Sequence, residues 1–526
     1  MELKNRLMAG GAVAAAAMLV LSGCSGGSSG NGGGDAGGEG RDTVRVAIDA
    51  DGGCLDPGTL DMRVTLQWSR QMADSLLYMD PEGVPQPWLA TEFEVNEDAT
   101  EYTFKLRDDV TFTDGSKLDA DTVKANFDRL AELGADAWAA QAHIAGYETT
   151  EVVDESTVKV RFSEPNVAFF YGASTPQLAI YSKESVALTP AERCVVGGLQ
   201  GSGPYVVTEY VPMEHLTLER NDEYAWGAEG WENQGPGTIK TLQFNIMDND
   251  STRSGAALSG ELDVVHTVTE ADAGLLFDAG FQNSPNPLPA VSASWKINLG
   301  SPVMSDEAVR KALMIGFDRA EMLATKPNLF TPATGVLNSS HPFRIDLADQ
   351  LAYDLDAAAK ILDDAGWTTG SNGVREKDGK PLDVEVIVYT PGADTNMENV
   401  QQQLKELGVN LSIYKTDSNG LRERWQGLDY DMLIDWNTSA DAGNLKSFFA
   451  YTNAPAEVDE ANTIQLGMAD REERIAYVQE FQERIIENAW MIPLWEENTT
   501  PFWSADVTRM SFDVAGVALY TNVEIQ

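Results

Sequence analysis

The sequence predicts a mixed α/β protein of more than one lobe, and three observations carry that prediction. The chain has 526 residues, beyond the roughly 250–300 at which a single hydrophobic core stops growing. Its hydrophobic share of 43% and charged share of 23% are ordinary for a folded protein. Period-two strand patterns interleave with capped helical patterns along the chain after the first 41 residues.

In chain order, Val44, Val46 and Ile48 alternate and predict the first strand. Tyr102, Phe104 and Leu106 alternate against Thr103, Lys105 and Arg107, a half-buried strand. Val152-Val153 and Val158 to Phe162 flank Asp154-Glu155-Ser156, which predicts a hairpin. Val123, Phe127 and Leu130 line one helix face after Asp119, and Gly134 closes it. Val309, Leu313 and Phe317 do the same after Ser305 or Asp306. Leu355, Ala359 and Leu362 follow Asp354, with Gly366 as terminator. Thr395 and Glu398 have capping-box spacing ahead of Val400, Leu404 and Leu407. The stretch 382–415 reads as strand, helix, strand. That is a βαβ crossover, so part of the sheet is parallel. Ligands in such sheets bind beyond the carboxyl ends of the strands.

Lys and Arg total 37 against 82 Asp and Glu, a net charge of −45. A field of that sign repels phosphate backbones and anionic headgroups, which excludes nucleic acid as a partner. The acidity serves solubility, or it is an adaptation to a salty environment in which ions screen the self-repulsion.

The N-terminus reads as an address. Lys4 and Arg6 precede an apolar run from Ala12 to Leu21, too short for a stop-transfer helix. The run ends Leu21-Ser22-Gly23-Cys24, which resembles the bacterial lipobox. The resemblance implies that residues 1–23 are a lipoprotein signal peptide. It also implies that the Cys24 thiol carries a diacylglycerol, which holds the protein outside the cytoplasm on the cell membrane. Residues 24–41 are a Gly/Ser-rich tether, with an r.m.s. reach of roughly 20–25 Å. Gly26 to Gly30 fits a serine-hydrolase elbow and Gly32 to Gly37 a dinucleotide fingerprint. Neither follows a strand or opens a helix, so both are noise of composition. The remaining thiols, Cys54 and Cys194, form an even pair in an oxidising compartment. That favours a disulfide over two buried free thiols.

A series of short motifs then falls in order. Tyr102 to Arg107, Val110 to Gly115 and Leu118 to Val123 form a strand, an Asp-Gly turn and a helix start. Leu55-Asp56-Pro57 precedes them. Gly201-Ser202-Gly203-Pro204-Tyr205, Glu219-Arg220-Asn221, Gly260-Glu261-Leu262-Asp263, Val309-Arg310-Lys311-Ala312 with Asp318-Arg319, and Gly366-Trp367 follow. Over about residues 42–526 this resembles the extracellular solute-binding proteins of family 5, which serve peptide and nickel ABC importers. The resemblance implies a large, type II periplasmic-binding-protein-like fold: two hinged α/β lobes plus an extra domain. It implies a base lobe from 42–76, 201–294 and 491–526, an extra domain at 77–200, and a second lobe at 295–490. Most of the motif residues are structural.

The same resemblance points to the ligand site. Val64, Thr65 and Leu66 align with an extended segment lining the cleft, and Trp495 with an aromatic near the returning hinge. Trp436 closes a strand at the cleft, and Asn437 opens the following loop. Asp441 in that loop aligns with the carboxylate that takes a ligand's ammonium. The chain departs from the family there: Asp435 stands for the Gly before Trp436, and Asn444-Leu445 for an Asp-Pro. The implied partners are a small-molecule or peptide ligand and a membrane permease, with the protein acting as a monomer. An oligopeptide or dipeptide is the first ligand expected; a metal chelate, haem-like group, sugar or opine, or a sensing role, are the alternatives. No enzyme activity, cofactor or metal site is expected. His143, His215, His266 and His341 lack metal-ligand spacing, and no nucleophile has a motif context.

Overall fold

The computed structural model describes residues 41–59, 63–284, 287–389, 393–498 and 500–526. Two six-stranded mixed sheets and one four-stranded antiparallel sheet organise them. In the first sheet, Thr43–Ile48 lies parallel to Thr241–Ile246 on one side and Val264–Val265 on the other. The antiparallel strands His215–Arg220 and Tyr205–Val211 extend one edge, and Phe502–Trp503 closes the other. Val44, Val46 and Ile48, which share one face of the strand, are all fully buried, whereas Thr43 and Arg45 on the opposite face are partly exposed.

The second sheet runs Phe330–Pro332, Met491–Glu497, Ala290–Ile297, Met432–Thr438, Asp383–Val388 and Asn410–Lys415. The βαβ unit is as expected: Asp383–Val388 pairs in parallel with Asn410–Lys415 after the helix Ala393–Glu406. That helix starts two residues before Thr395, so Thr395 is its third residue and not its cap. Elsewhere acidic caps sit where the sequence places them. Asp119, Asp306 and Asp354 each accept a hydrogen bond from the first turn of their helix, satisfying donors that the helix itself cannot.

The four-stranded sheet joins Ala90–Val95, Glu101–Leu106, Thr157–Phe162 and Tyr147–Asp154. Its core takes in Tyr224 and Trp226 from the first-sheet body, so the extra domain is fixed to that body by apolar packing. The second sheet has a separate core around Trp295, Phe317, Phe481 and Trp490.

Two segments cross between the six-stranded sheets, running side by side. Gln282 and Trp503 exchange backbone hydrogen bonds of 2.8 and 2.9 Å. Asn283 Nδ2 donates to the Thr500 carbonyl at 2.9 Å, and Asn498 Nδ2 to Asn283 Oδ1 at 2.7 Å. The expected lobe limits at 294/295 and 490/491 need correction here. Ala290–Ile297 and Met491–Glu497 are hydrogen-bonded neighbours in the second sheet, and a ladder cannot be divided between two bodies. The chain therefore leaves the first sheet by Gln282 and Asn283 and the second by Asn498, outside both ladders.

Candidate functional site

In the second sheet, Asp383–Val388 and Met432–Thr438 run parallel and end on the same edge. Tyr389 follows the first of these strands, and Trp436 lies near the end of the second. Their rings stack 6.2 Å apart at 14°. Both residues are half-buried, and Trp436 rests against the apolar core. An offset aromatic pair with a wet edge offers apolar area together with polar handles.

Trp436 also lines a small cavity with Thr438, Val291, Ser292, Asn338 and Glu496. Glu496 is buried on that wall. Ser339 donates to its Oε2 through N–H at 3.0 Å and through its hydroxyl, and the Thr334 hydroxyl donates to Oε1 at 3.3 Å. Asn396 stands in the first turn of the helix after Tyr389, 1% exposed. Neither its amide oxygen nor its nitrogen has a hydrogen-bond partner. Helical side chains tilt toward the N-terminus, so its amide lies over the start of that helix.

The expected site residues fare differently. Val64, Thr65 and Leu66 are not extended: they lie in the helix Arg63–Met72. The run from Leu66 to Met72 is rich in good helix formers, and the Ser69 hydroxyl donates back to the Thr65 carbonyl at 2.8 Å. Thr65 and Leu66 are buried. Asn437 does not open the loop: it lies in the strand Met432–Thr438, opposite Val291, and its amide donates to Ser447 Oγ at 2.9 Å.

Asp441 is buried, and both its oxygens are held by Arg474 at 2.7 Å, with the Gly443 N–H on Oδ1. Burial alone would raise its pKa. The Arg474 charge and these hydrogen bonds outweigh burial and hold it below the usual carboxylate range. The ammonium-anchor role is corrected: this carboxylate already has its cation. Trp495 is 3% exposed and packs edge-on to Phe330 in the core, with its indole N–H unpaired. Cys54 and Cys194 form a disulfide with Cα atoms 4.2 Å apart. Cys24 lies outside the described residues.

The departure at Asp435 has a physical counterpart. Lys296, on the neighbouring strand, places Nζ 3.1 Å from Asp435 Oδ2 and 4.3 Å above the Trp425 ring. Burial pulls the Lys296 ammonium below its ordinary pKa against the pull of Asp435. The same burial pushes the Asp435 carboxyl up. Tyr389, Asn396, Glu496 and Lys296 were all missed in the sequence. Tyr389 carries the signal that singled out Trp436, an aromatic closing a strand.

Among the described residues, no group of three or more His, Cys, Asp and Glu side chains could hold a metal ion. No helix among them is long and apolar enough to cross a membrane. The model of the bacterial extracellular solute-binding proteins, family 5 (middle), matches residues 84–459. The chain belongs to this family. It is a substrate-binding protein of the ABC-importer type.

Family 5 relatives include the nickel-binding periplasmic protein of Escherichia coli K12, 23% identical over 435 residues, 77% of each chain. The glutathione-binding protein GsiB of Salmonella paratyphi A is 24% identical over 514 residues, 90% of this chain and 94% of the relative. NikA from Brucella suis, solved with Fe(III)-EDTA, superposes with TM-score 0.79 at 22% identity, covering 92% of this chain and all of NikA. The dipeptide-binding protein of Pseudoalteromonas sp. SM9913, solved with Met-Leu, gives TM-score 0.72 at 20% identity over 92% of this chain and all of that one. These solved structures share the two-lobed fold.

Proposed function

We propose that this family 5 protein captures a solute in the crevice beside the Tyr389–Trp436 stack, between two lobes, and hands it intact to a membrane permease. The base lobe would comprise 42–76, 201–281 and 502–526, with 77–200 as the extra domain and 290–497 as the second lobe. A lipid on Cys24 would anchor the protein, as a monomer, to the outer face of the cell membrane. The observation that carries this reading is the stack itself: two half-buried aromatics at the carboxyl ends of parallel strands, next to the crossings between the sheets.

An oligopeptide or dipeptide is the first ligand class, supported by the Met-Leu complex of a structural neighbour. The engagement of Asp441 by Arg474 means that a peptide's ammonium would need a different anchor. That same engagement favours a second reading, a chelated metal or another ligand without a free amino terminus, in keeping with the Fe(III)-EDTA complex of NikA.

Mass spectrometry of small molecules released by denaturing freshly purified protein distinguishes the two. Wild type should release a stoichiometric solute unchanged, and the Tyr389→Ala, Trp436→Ala double variant should release far less. Equal release from both proteins would refute this site. A Cys24→Ser variant should shed from cells into the medium; full retention would refute the lipid anchor.

A further inference from the structure

We propose that the extra domain is a latch that holds the second lobe closed, with Arg471 and the turn 80–84 as its two halves. The inference rests on the two-lobed reading above and adds an element remote from the ligand platform. The extra domain is fixed to the base lobe, because its core shares Tyr224 and Trp226 with it. Any contact it makes with the second lobe is therefore one that opening must break.

Such contacts form a continuous strip. Arg471, the first residue of the helix Arg471–Glu487, donates to the Glu82 carbonyl and, at 3.4 Å, to the Gly83 carbonyl. Its guanidinium lies 5.8 Å from the centre of the Phe343 ring of its own lobe, which aims it at the turn. The turn is built to receive it. Asp80 accepts hydrogen bonds from the Val84 N–H and from Gln86, both at 2.8 Å. Gly83 has φ +72°, and a Cβ there would stand 2.6 Å from Pro342 Cγ, so only glycine fits. Further along, the Val167 N–H donates to the Leu466 carbonyl at 2.9 Å. Tyr171 packs with Met79, Val514 and Ala440.

The chemistry is that of a separable contact. It includes backbone carbonyls, one side-chain cation still 30% exposed, the Tyr171 hydroxyl against Ser439 and Ala440 and a few apolar atoms, closer to a transient interface than to a domain core. The strip also reaches the ligand platform. Ala440 and Asp441 lie four and five residues beyond Trp436, and Arg474, one helical turn from Arg471, grips Asp441. A solute seated on Trp436 and the latch thus act on one loop.

Hydrogen exchange read by mass spectrometry, with small-angle scattering, tests this on the full chain. Arg471→Ala removes the charged donor; Gly83→Ala wedges the turn against Pro342. In both, exchange within 78–86 and 463–470 should rise by roughly tenfold or more, the size expected for losing hydrogen bonds from a charged group. The radius of gyration should increase, with circular dichroism unchanged. Glu473→Ala, exposed on the same first turn, should match wild type. Wild-type exchange and radius in both latch variants would overturn the proposal. That result would leave the solute-binding reading intact, since the released-solute measurement judges it separately.

Discussion

Replacing Lys296 by methionine keeps the length of the side chain and removes its charge. In the native protein Lys296 is 1% exposed. It is held between Asp435 at 3.1 Å and the rings of Trp425 and Phe448, 4.3 and 5.3 Å from Nζ. Removing one partner of a fully buried pair costs about 3–5 kcal/mol, because the other charge is left without compensation. The Asp435 side chain is 28% exposed, so water offsets part of that loss and the expected cost is about 2–4 kcal/mol. Adding Asp435→Gly deletes the orphaned carboxylate and brings in the residue that the family carries before this tryptophan. The double variant should recover at least about 1.5 kcal/mol relative to the sum of the single losses. Urea unfolding followed by tryptophan fluorescence reads this well, since Trp295, Trp425 and Trp436 all lie in the affected body. A Lys296→Met protein as stable as wild type, or strictly additive losses in the double variant, would refute the account of this pair.

Asp74 offers a test in pH. Its complete burial, working against hydrogen bonds from Ser202 and Trp226, the charge of Arg70 and a hydrogen bond from Tyr224, pushes its carboxyl up to about 7. The folded protein then keeps this proton between about pH 4 and 7 while the unfolded chain has lost it. Stability from this group therefore falls as pH rises through that window. Asp74→Asn should flatten the Tm-against-pH curve there, and an unchanged slope in calorimetry would remove Asp74 as its cause. Replacing both Cys54 and Cys194 by serine opens a cross-link spanning 140 residues of sequence; chain entropy puts the loss at ~5 kcal/mol, and an unchanged urea midpoint would contradict it. The net charge of −45 predicts that Tm rises between 0.1 and 1 M KCl, as the screening length falls from about 10 to 3 Å. A flat Tm would show that self-repulsion does not limit stability.

Much of the fold is legible in the sequence because its signals are local. Alternation places Thr43–Ile48 and Glu101–Leu106, and aspartates at 119, 306 and 354 mark helix starts. The βαβ unit at 383–415 needs only two periodicities and a length. The site is less legible because its meaning lies in partners far along the chain. Asp441 reads as a free loop carboxylate until Arg474 arrives from Arg471–Glu487, the third helix after the loop. Asp435 reads as a departure from the family until Lys296 is seen beside it. At Arg63–Met72 the resemblance to an extended, cleft-lining segment and the helix propensity of Leu66 to Met72 point different ways, and the local propensity prevails.

The paired crossings have a mechanical consequence. Because Gln282 is held to Trp503 of the first sheet by two backbone hydrogen bonds, and Asn283 is tied by its side chain to Asn498 and Thr500, neither crossing would swivel alone. The lobes are constrained like a door on one double-leaf strap, free to swing about a common pin but resistant to skewing. A nick in one leaf would leave its neighbour carrying the load.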